Sequence, residues 1–453
     1  MTETASWAAP QSSGPYKQLQ MREQPRGMVR HESDLAPRKA EPELHITAAI
    51  GRDAEVDGSR RIAFDELMRR AQALTPKLRG LAERTESERR VSLEAIQMLR
   101  EAQLFKLMQP SRFGGFGYGF AELMDINCVL GQGCGSTAWC ASLAMAHQWM
   151  VALFAWEAQE EVWRDPDNIV ATSITPAGVC ELTSGGYRLS GEWPFMSNCD
   201  HSEWFILASM LPDIEHGNNK AEWGLLLVPR AEVEIRDTWF VAGLSGTGSN
   251  AVAIKEPVFI PRHRGLTMSD ICCYRSPGLH AHSDPVYRIP FFTGLPISLV
   301  SPALGIVQGA IGDFVEQMTK RTSLAPADKQ GPVAQPAHIA TRVAEASGAL
   351  DAAQLLLKRD LTEAESSAAS GKLIPVDKRV RNRRDHAYAI KLAVAAVNLL
   401  FDAVGGKGLH LSSPIQRAWR DVHAIAHHHA INWEAVSAMY GQYQFGVEPN
   451  EKI

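Results

Sequence analysis

Two changes of hydrophobic period divide this chain and restrict the folds open to it. From residue 61 to about 165, apolar positions recur three and four apart: Phe64, Leu67, Ala71, Leu74 and Leu78, then Leu93, Ile96 and Leu99. That spacing gathers side chains on one helix face. After Pro166 the texture changes to short β-branched or aromatic runs at 169–175, 187–190, 204–209, 223–228 and 252–260, parted by Gly, Pro and Asn. These predict a β domain with antiparallel pairing. Long helical runs return near Pro290, at 305–320, 336–369, 376–404 and 415–440. Residues 1–60 mix Pro, Gly, Ser, Glu and Arg without a period and read as a flexible arm. The expected organisation is an arm (1–60), a helical domain (61–165), a central β domain (166–289) and a helical bundle (290–453). Site chemistry is expected where the three packed parts meet.

Composition removes several alternatives. A formal charge of −5 gives no reason to expect nucleic acid or an anionic membrane as partner. The start lacks a charged segment followed by an apolar one, so no secretory signal is read. The most apolar stretch, 138–156, carries His147 and Gln148 at its centre and reads as a buried helix rather than a membrane span. Seven cysteines without a Cys-x-x-Cys pair suit a reduced cytoplasm. The glycines of 243–248 do not follow the dinucleotide order, and a strand-like run follows them instead of a helix. The glycine-rich segment 113–119 reads as a flexible lid or as a turn between helices.

Three motifs narrow the reading. They are Gly191-Glu-Trp193-Pro-Phe195-Met-Ser197-Asn198; Gly243-Leu-Ser-Gly246-Thr-Gly248-Ser-Asn250 with Val258-Phe-Ile-Pro261; and Gly405-Gly-Lys-Gly408 followed by Ser413-Pro414-Ile-Gln416-Arg417-Ala-Trp419-Arg420-Asp421-Val422-His423. In this order, over about residues 60–446, the chain resembles the acyl-CoA dehydrogenase superfamily. It is most similar to the superfamily's two-component flavin-dependent monooxygenase branch, which includes the oxygenase components acting on p-hydroxyphenylacetate. Gly441 follows Tyr440 where a dehydrogenase would carry its carboxylate base, and Glu434 upstream is the one possible substitute. His147, within 135–149, fits the monooxygenase branch.

The resemblance implies an acyl-CoA dehydrogenase-like fold and a homotetramer. It also implies reduced FMN or FAD delivered by a separate NAD(P)H-dependent flavin reductase, with O2 as co-substrate. A flavin C4a-hydroperoxide would then hydroxylate an aromatic or heteroaromatic small molecule. The missing nicotinamide fingerprint agrees with an external reductase.

By the same resemblance Ser197 bonds the flavin nitrogen beside the reactive carbon, and Trp193, Phe195 and Asn198 share the flavin strand. His147, with an imidazole near its ordinary pKa, takes or shares a phenolic proton, and Ser173 shares that contact. Alignment on 420–423 favours His428 beside the reactive carbon, with His427 next; a continuous helix would let only one or two of 427–429 line a site. Arg288 is a candidate for an acidic substituent. A metal reading of His423 and His427, spaced i, i+4 with Glu434 beyond, lacks the Glu that a zincin motif places after the first His, so no metal is expected. The alternatives are N- or S-oxygenation, an acyl-CoA dehydrogenase, or a non-catalytic flavin-binding subunit.

Overall fold

The computed structural model describes residues 62–212, 221–320 and 337–449; the arm of residues 1–60 lies outside them. Five helices come first: α1 (Phe64–Ser87), α2 (Leu93–Glu101), α3 (Phe120–Gly131), α4 (Gly135–Val151) and α5 (Trp156–Val162). The periodic residues of α1, Leu67, Ala71, Leu74 and Leu78, are buried. Asp65 and Glu66 meet the positive end of its dipole. Ser92 caps α2 by accepting the Ala95 N–H at 3.2 Å. Nearly every residue of α4 is buried, so this helix runs through the interior. The glycine-rich segment is a turn folded on the chain before it: Phe116 N–H donates to Lys106 O at 3.0 Å and Tyr118 N–H to Leu107 O at 2.9 Å.

Among the described residues, the β domain holds two four-stranded sheets. Strands β1 (Val170–Ser173), β4 (Trp204–Pro212), β5 (Ala221–Pro229) and β8 (Gly265–Thr267) form one, in the order β1-β4-β5-β8. Strands β2 (Val179–Thr183), β3 (Gly186–Trp193), β7 (Ala251–Pro261) and β6 (Glu234–Arg236) form the other, in the order β2-β3-β7-β6. Pairing is antiparallel except that β1 and β4 run parallel, a departure from the expected pattern. Ala171, Phe205, Leu207 and Leu226 of the first sheet pack with Leu189, Trp193, Val252 and Ile254 of the second. Gly191 sits at a register shift of β3 with φ +144°, and a Cβ there would lie 2.3 Å from Gly178 Cα. Only glycine fits such a position.

The short helices α6 (Met268–Cys272) and α7 (Phe291–Gly294) lead into the bundle of α8 (Ile297–Lys320), α9 (Ala337–Ala369), α10 (Val376–Val404), α11 (Pro414–Ala426) and α12 (Trp433–Gln444). Helix α8 starts eight residues before the expected 305 and carries Pro302 within it. It meets α3 backbone to backbone, since a Cβ on Gly131 would lie 2.8 Å from Gly305 Cα. Two helical stretches, Phe291–Lys320 and Val376–Leu409, are long and apolar enough to cross a membrane. Of their apolar windows, 89% of the first and 44% of the second is buried in the protein. The expected single helix over 415–440 is instead two. The chain leaves α11 at His427, and Asn432 starts α12 by accepting the Ala435 N–H at 3.1 Å. This break decides what the three histidines can do.

Candidate active site

Helix α4 organises the site. Trp139, in its second turn, donates its indole N–H to Ser197 Oγ at 3.0 Å. Ser197 follows β3 in a segment whose backbone is held by Met196 N–H to Asn250 O at 3.0 Å and Asn198 N–H to Thr247 O at 3.2 Å. Its hydroxyl lies 2.7 Å from Ser249 Oγ, which lies 2.6 Å from Thr247 Oγ1. All three hydroxyl residues are buried. The indole ring also lies beside the His428 ring, tilted by 57° with centroids 6.2 Å apart.

Eight residues further along α4, about 12 Å by helical rise, His147 is 1% exposed. Its Nδ1 is 2.7 Å from Val170 O at the start of β1. A carbonyl only accepts, so Nδ1 carries the proton and the neutral ring keeps a bare lone pair on Nε2. That Nε2 is buried with no partner among the described residues. Burial pushes the His147 pKa down to about 4, the Val170 bond opposing only in part. The near-neutral imidazole expected from sequence is therefore corrected: desolvation outweighs the one bond that favours the cation.

His428 has the opposite tautomer. Outside the helix, its Nδ1 accepts the Ala430 N–H at 3.3 Å, which leaves the ring proton on Nε2. Burial first, then the neighbouring His429, lowers its pKa to about 4. One of these imidazoles is thus held as an acceptor and the other as a donor.

The turn carrying Thr247 and Ser249 is clamped to α11. Asp421 is buried and accepts the Leu244 N–H at 2.7 Å, and burial raises its carboxyl to about 6. Arg420 donates to Ala242 O at 2.6 Å and, with Arg417, pairs with Glu86 of α1. A Cβ on Gly243 would fall 2.2 Å from Arg420 O.

Flavin chemistry fits these residues. Asn198 is 3% exposed, yet both amide atoms lack a partner among the described residues. Phe195, at φ +61°, exposes its ring and meets Trp239 edge-on at 6.0 Å. Unmet buried polar groups beside an open aromatic face suit a ring that is flat, apolar on its faces and polar at its edge.

Comparisons with known proteins agree. Residues 297–433 match the family model described as acyl-CoA dehydrogenase, C-terminal domain. Over 390 residues the chain is 38% identical to the FADH2-dependent resorcinol hydroxylase oxygenase component of Rhizobium sp. (strain MTP-10005), covering 84% of this chain and 95% of that protein. It belongs to the flavin-dependent monooxygenases. The oxygenase subunit HsaA of Mycobacterium tuberculosis (strain ATCC 25618 / H37Rv) is 37% identical over 384 residues, 84% of this chain and 95% of HsaA. The crystal structure of 3-HSA hydroxylase from Rhodococcus sp. RHA1 matches with a TM-score of 0.81 at 34% identity, covering 86% and 100% of the two chains. XiaF from Streptomyces sp., solved with FADH2 and glycerol, matches at 0.77 and 25% identity, covering 86% and 97%.

This monooxygenase is thus the oxygenase component of a two-component aromatic hydroxylase, using reduced flavin from a separate reductase and O2. Within it, the structure gathers Ser197 and His428 at Trp139, and ties His147 to β1, whose last residue, Ser173, donates to Pro194 O at 3.3 Å. The remaining candidates are placed as follows. Trp193 is fully buried and donates to Ala208 O at 2.7 Å, so its ring fills the β core. His427 is exposed and ties Nδ1 back to His423 O at 2.7 Å. Arg288 bonds Ser283 O of its own loop at 3.5 Å, and His423 bonds Asn398 Oδ1 at 2.9 Å. Glu434 is exposed in the first turn of α12. Sequence reasoning missed Thr247, Ser249 and Asp421 as site supports. Their signal was the spacing of two hydroxyls inside a glycine turn, which gains meaning only once Ser197 is known to lie against it.

Proposed function

We propose that this oxygenase hydroxylates a small phenol, with His147 as the group that recognises and polarises the phenolic O–H. The observation that carries this is the His147 Nε2 lone pair, buried without a partner among the described residues and fixed in direction by the Val170 carbonyl. An apolar substrate would leave it unmet, a cost of about 1–3 kcal/mol, whereas a phenol supplies the missing donor. With a pKa near 4 the imidazole accepts a hydrogen bond rather than taking the proton outright. Such a bond shifts electron density into the ring and makes the carbon beside the hydroxyl a better nucleophile.

Bound reduced flavin supplies two electrons, so that one atom of O2 enters the ring and the other leaves as water. Ser197 holds the polar edge of the flavin. His428, with Nε2–H as donor, places a proton where negative charge develops on oxygen, and Ser173 lines the substrate end of β1. Phe195 and Asn198 complete the flavin contact, and the FADH2-dependent name of the resorcinol hydroxylase, with the FADH2 held by XiaF, favours FAD over FMN. A homotetramer in the cytoplasm is the proposed form of the protein. The apolar window of α10 is only 44% buried, and Leu409, Leu411 and Phe445 are exposed, so a second copy has apolar surface to cover.

The test mixes the purified protein with anaerobically reduced FAD, then adds oxygenated buffer with one candidate substrate and analyses the products. Resorcinol, p-hydroxyphenylacetate, indole and dibenzothiophene form the panel. Hydroxylated phenol, lost in His147→Ala, supports the reading. Oxidation of the sulfur heterocycle with no turnover of phenols overturns it.

A further inference from the structure

The hydroxyls behind Ser197 form a chain with a fixed direction. At one end is the Trp139 indole N–H, which can only donate; at the other is the Leu244 carbonyl, which can only accept. Thr247 Oγ1 lies 2.9 Å from Leu244 O, so the Thr247 proton must lie between them. Its oxygen then accepts the Ser249 proton at 2.6 Å, and Ser249 accepts the Ser197 proton at 2.7 Å. Ser197 in turn accepts from Trp139 at 3.0 Å. Reversing the chain would leave Thr247 Oγ1 and Leu244 O facing at 2.9 Å with no proton between them. Ser197 has therefore spent its proton inward and faces the site with a lone pair. Asp421 secures the accepting end by holding the Leu244 N–H at 2.7 Å.

We propose that Thr247 and Ser249 are positioning residues that fix Ser197 as a hydrogen-bond acceptor, so that the site favours reduced over oxidised flavin. The two redox forms differ at the nitrogen beside the reactive carbon, which bears a hydrogen when reduced and a bare lone pair when oxidised. An acceptor at Ser197 meets the first and repels the second. The inference rests on the reading above that Ser197 faces that nitrogen, and it specifies the direction of the bond, which the resemblance alone left open.

The experiment measures Kd for oxidised FAD in air and for reduced FAD under anaerobic conditions, without substrate or turnover. The wild type should bind the reduced form more tightly. In Ser249→Ala the Ser197 O–H loses its internal acceptor and turns outward. The affinity ratio should then move toward oxidised flavin by about tenfold, the order of one hydrogen bond in an equilibrium constant. Thr247→Val frees the Ser249 proton to donate to Ser197 and should shift the ratio the same way, so the test survives if Ser249→Ala fails to fold. Thr247→Ser restores the hydroxyl and should restore the wild-type ratio.

An unchanged ratio in both disruptive variants, or equal loss of both affinities, overturns the directional role. Failure of the underlying reading looks different: Ser197→Ala would leave both affinities as in the wild type, or the wild type would bind neither form.

Discussion

Trp139 holds two site residues at once: its indole N–H donates to Ser197 Oγ at 3.0 Å, and its ring lies 6.2 Å from the ring of His428. The tryptophan therefore couples the Ser197 hydroxyl on the β domain to the imidazole that follows α11. Trp139→Phe separates the two contacts, because phenylalanine keeps an aromatic ring beside His428 and loses the donor. A net hydrogen bond is worth about 0.5–1.5 kcal/mol, so reduced-flavin affinity should weaken roughly 2- to 10-fold. Product formed per reduced flavin should fall with it. Anaerobic titration and product analysis check both, and unchanged values would limit Trp139 to a packing role.

The His147 tautomer gives a pH prediction. The active form is neutral, with Nε2 bare, and protonation removes the acceptor. With the pKa near 4, well below the ordinary 6.5, His147 should impose no inflection on kcat/KM between about pH 5.5 and 8. Activity should be lost only as pH falls toward 4. An inflection near 6.5 that disappears in His147→Asn would contradict the tautomer assignment.

The same group contributes to stability in the acid range. Its folded pKa is depressed, so the contribution is present above pH 6.5 and is lost as pH falls through about 4. In that window the unfolded chain binds one more proton at this residue than the folded one. His147→Phe should therefore reduce the pH slope of the unfolding free energy by about 1.4 kcal/mol per pH unit. Urea melts at pH 7, 6 and 5 measure the slope, and identical slopes in the two proteins would count against a neutral buried imidazole.

The parts of this molecule legible in the sequence are those whose signal is local and repeated. The Leu67-Ala71-Leu74-Leu78 face of α1 is buried as its spacing requires, and Val376–Val404 is one helix as read. Strand β2 escaped notice because it lies exposed at a sheet edge, leaving no apolar alternation to find. The 415–440 run looked continuous because its apolar positions keep helical spacing through the break. Asn432 and the His428 ring, capping the next segments, end the helix nonetheless. The site candidates came from resemblance, which carries no information on their protonation. Which nitrogen of His147 or His428 carries the proton depends on Val170 O and on Ala430 N–H, one a strand away and one across a turn.

The clamp between the glycine turn and α11 supplies the last prediction. Asp421 accepts the Leu244 N–H in a buried setting, and Gly243 packs so closely on Arg420 that a Cβ would lie 2.2 Å from a backbone oxygen. Asp421→Ala leaves that N–H without its acceptor and should destabilise the protein by about 1–3 kcal/mol. Asp421→Asn keeps an acceptor oxygen and, because burial already disfavours the charge, should lose less. Gly243→Ala must push the turn off α11, carrying Thr247 and Ser249 with it, so flavin affinity should fall along with melting temperature. Calorimetry and flavin titration on the three variants distinguish these effects. If Gly243→Ala melts like the wild type and binds flavin equally well, the turn does not depend on α11 for its position, and Asp421 serves only to satisfy one buried peptide.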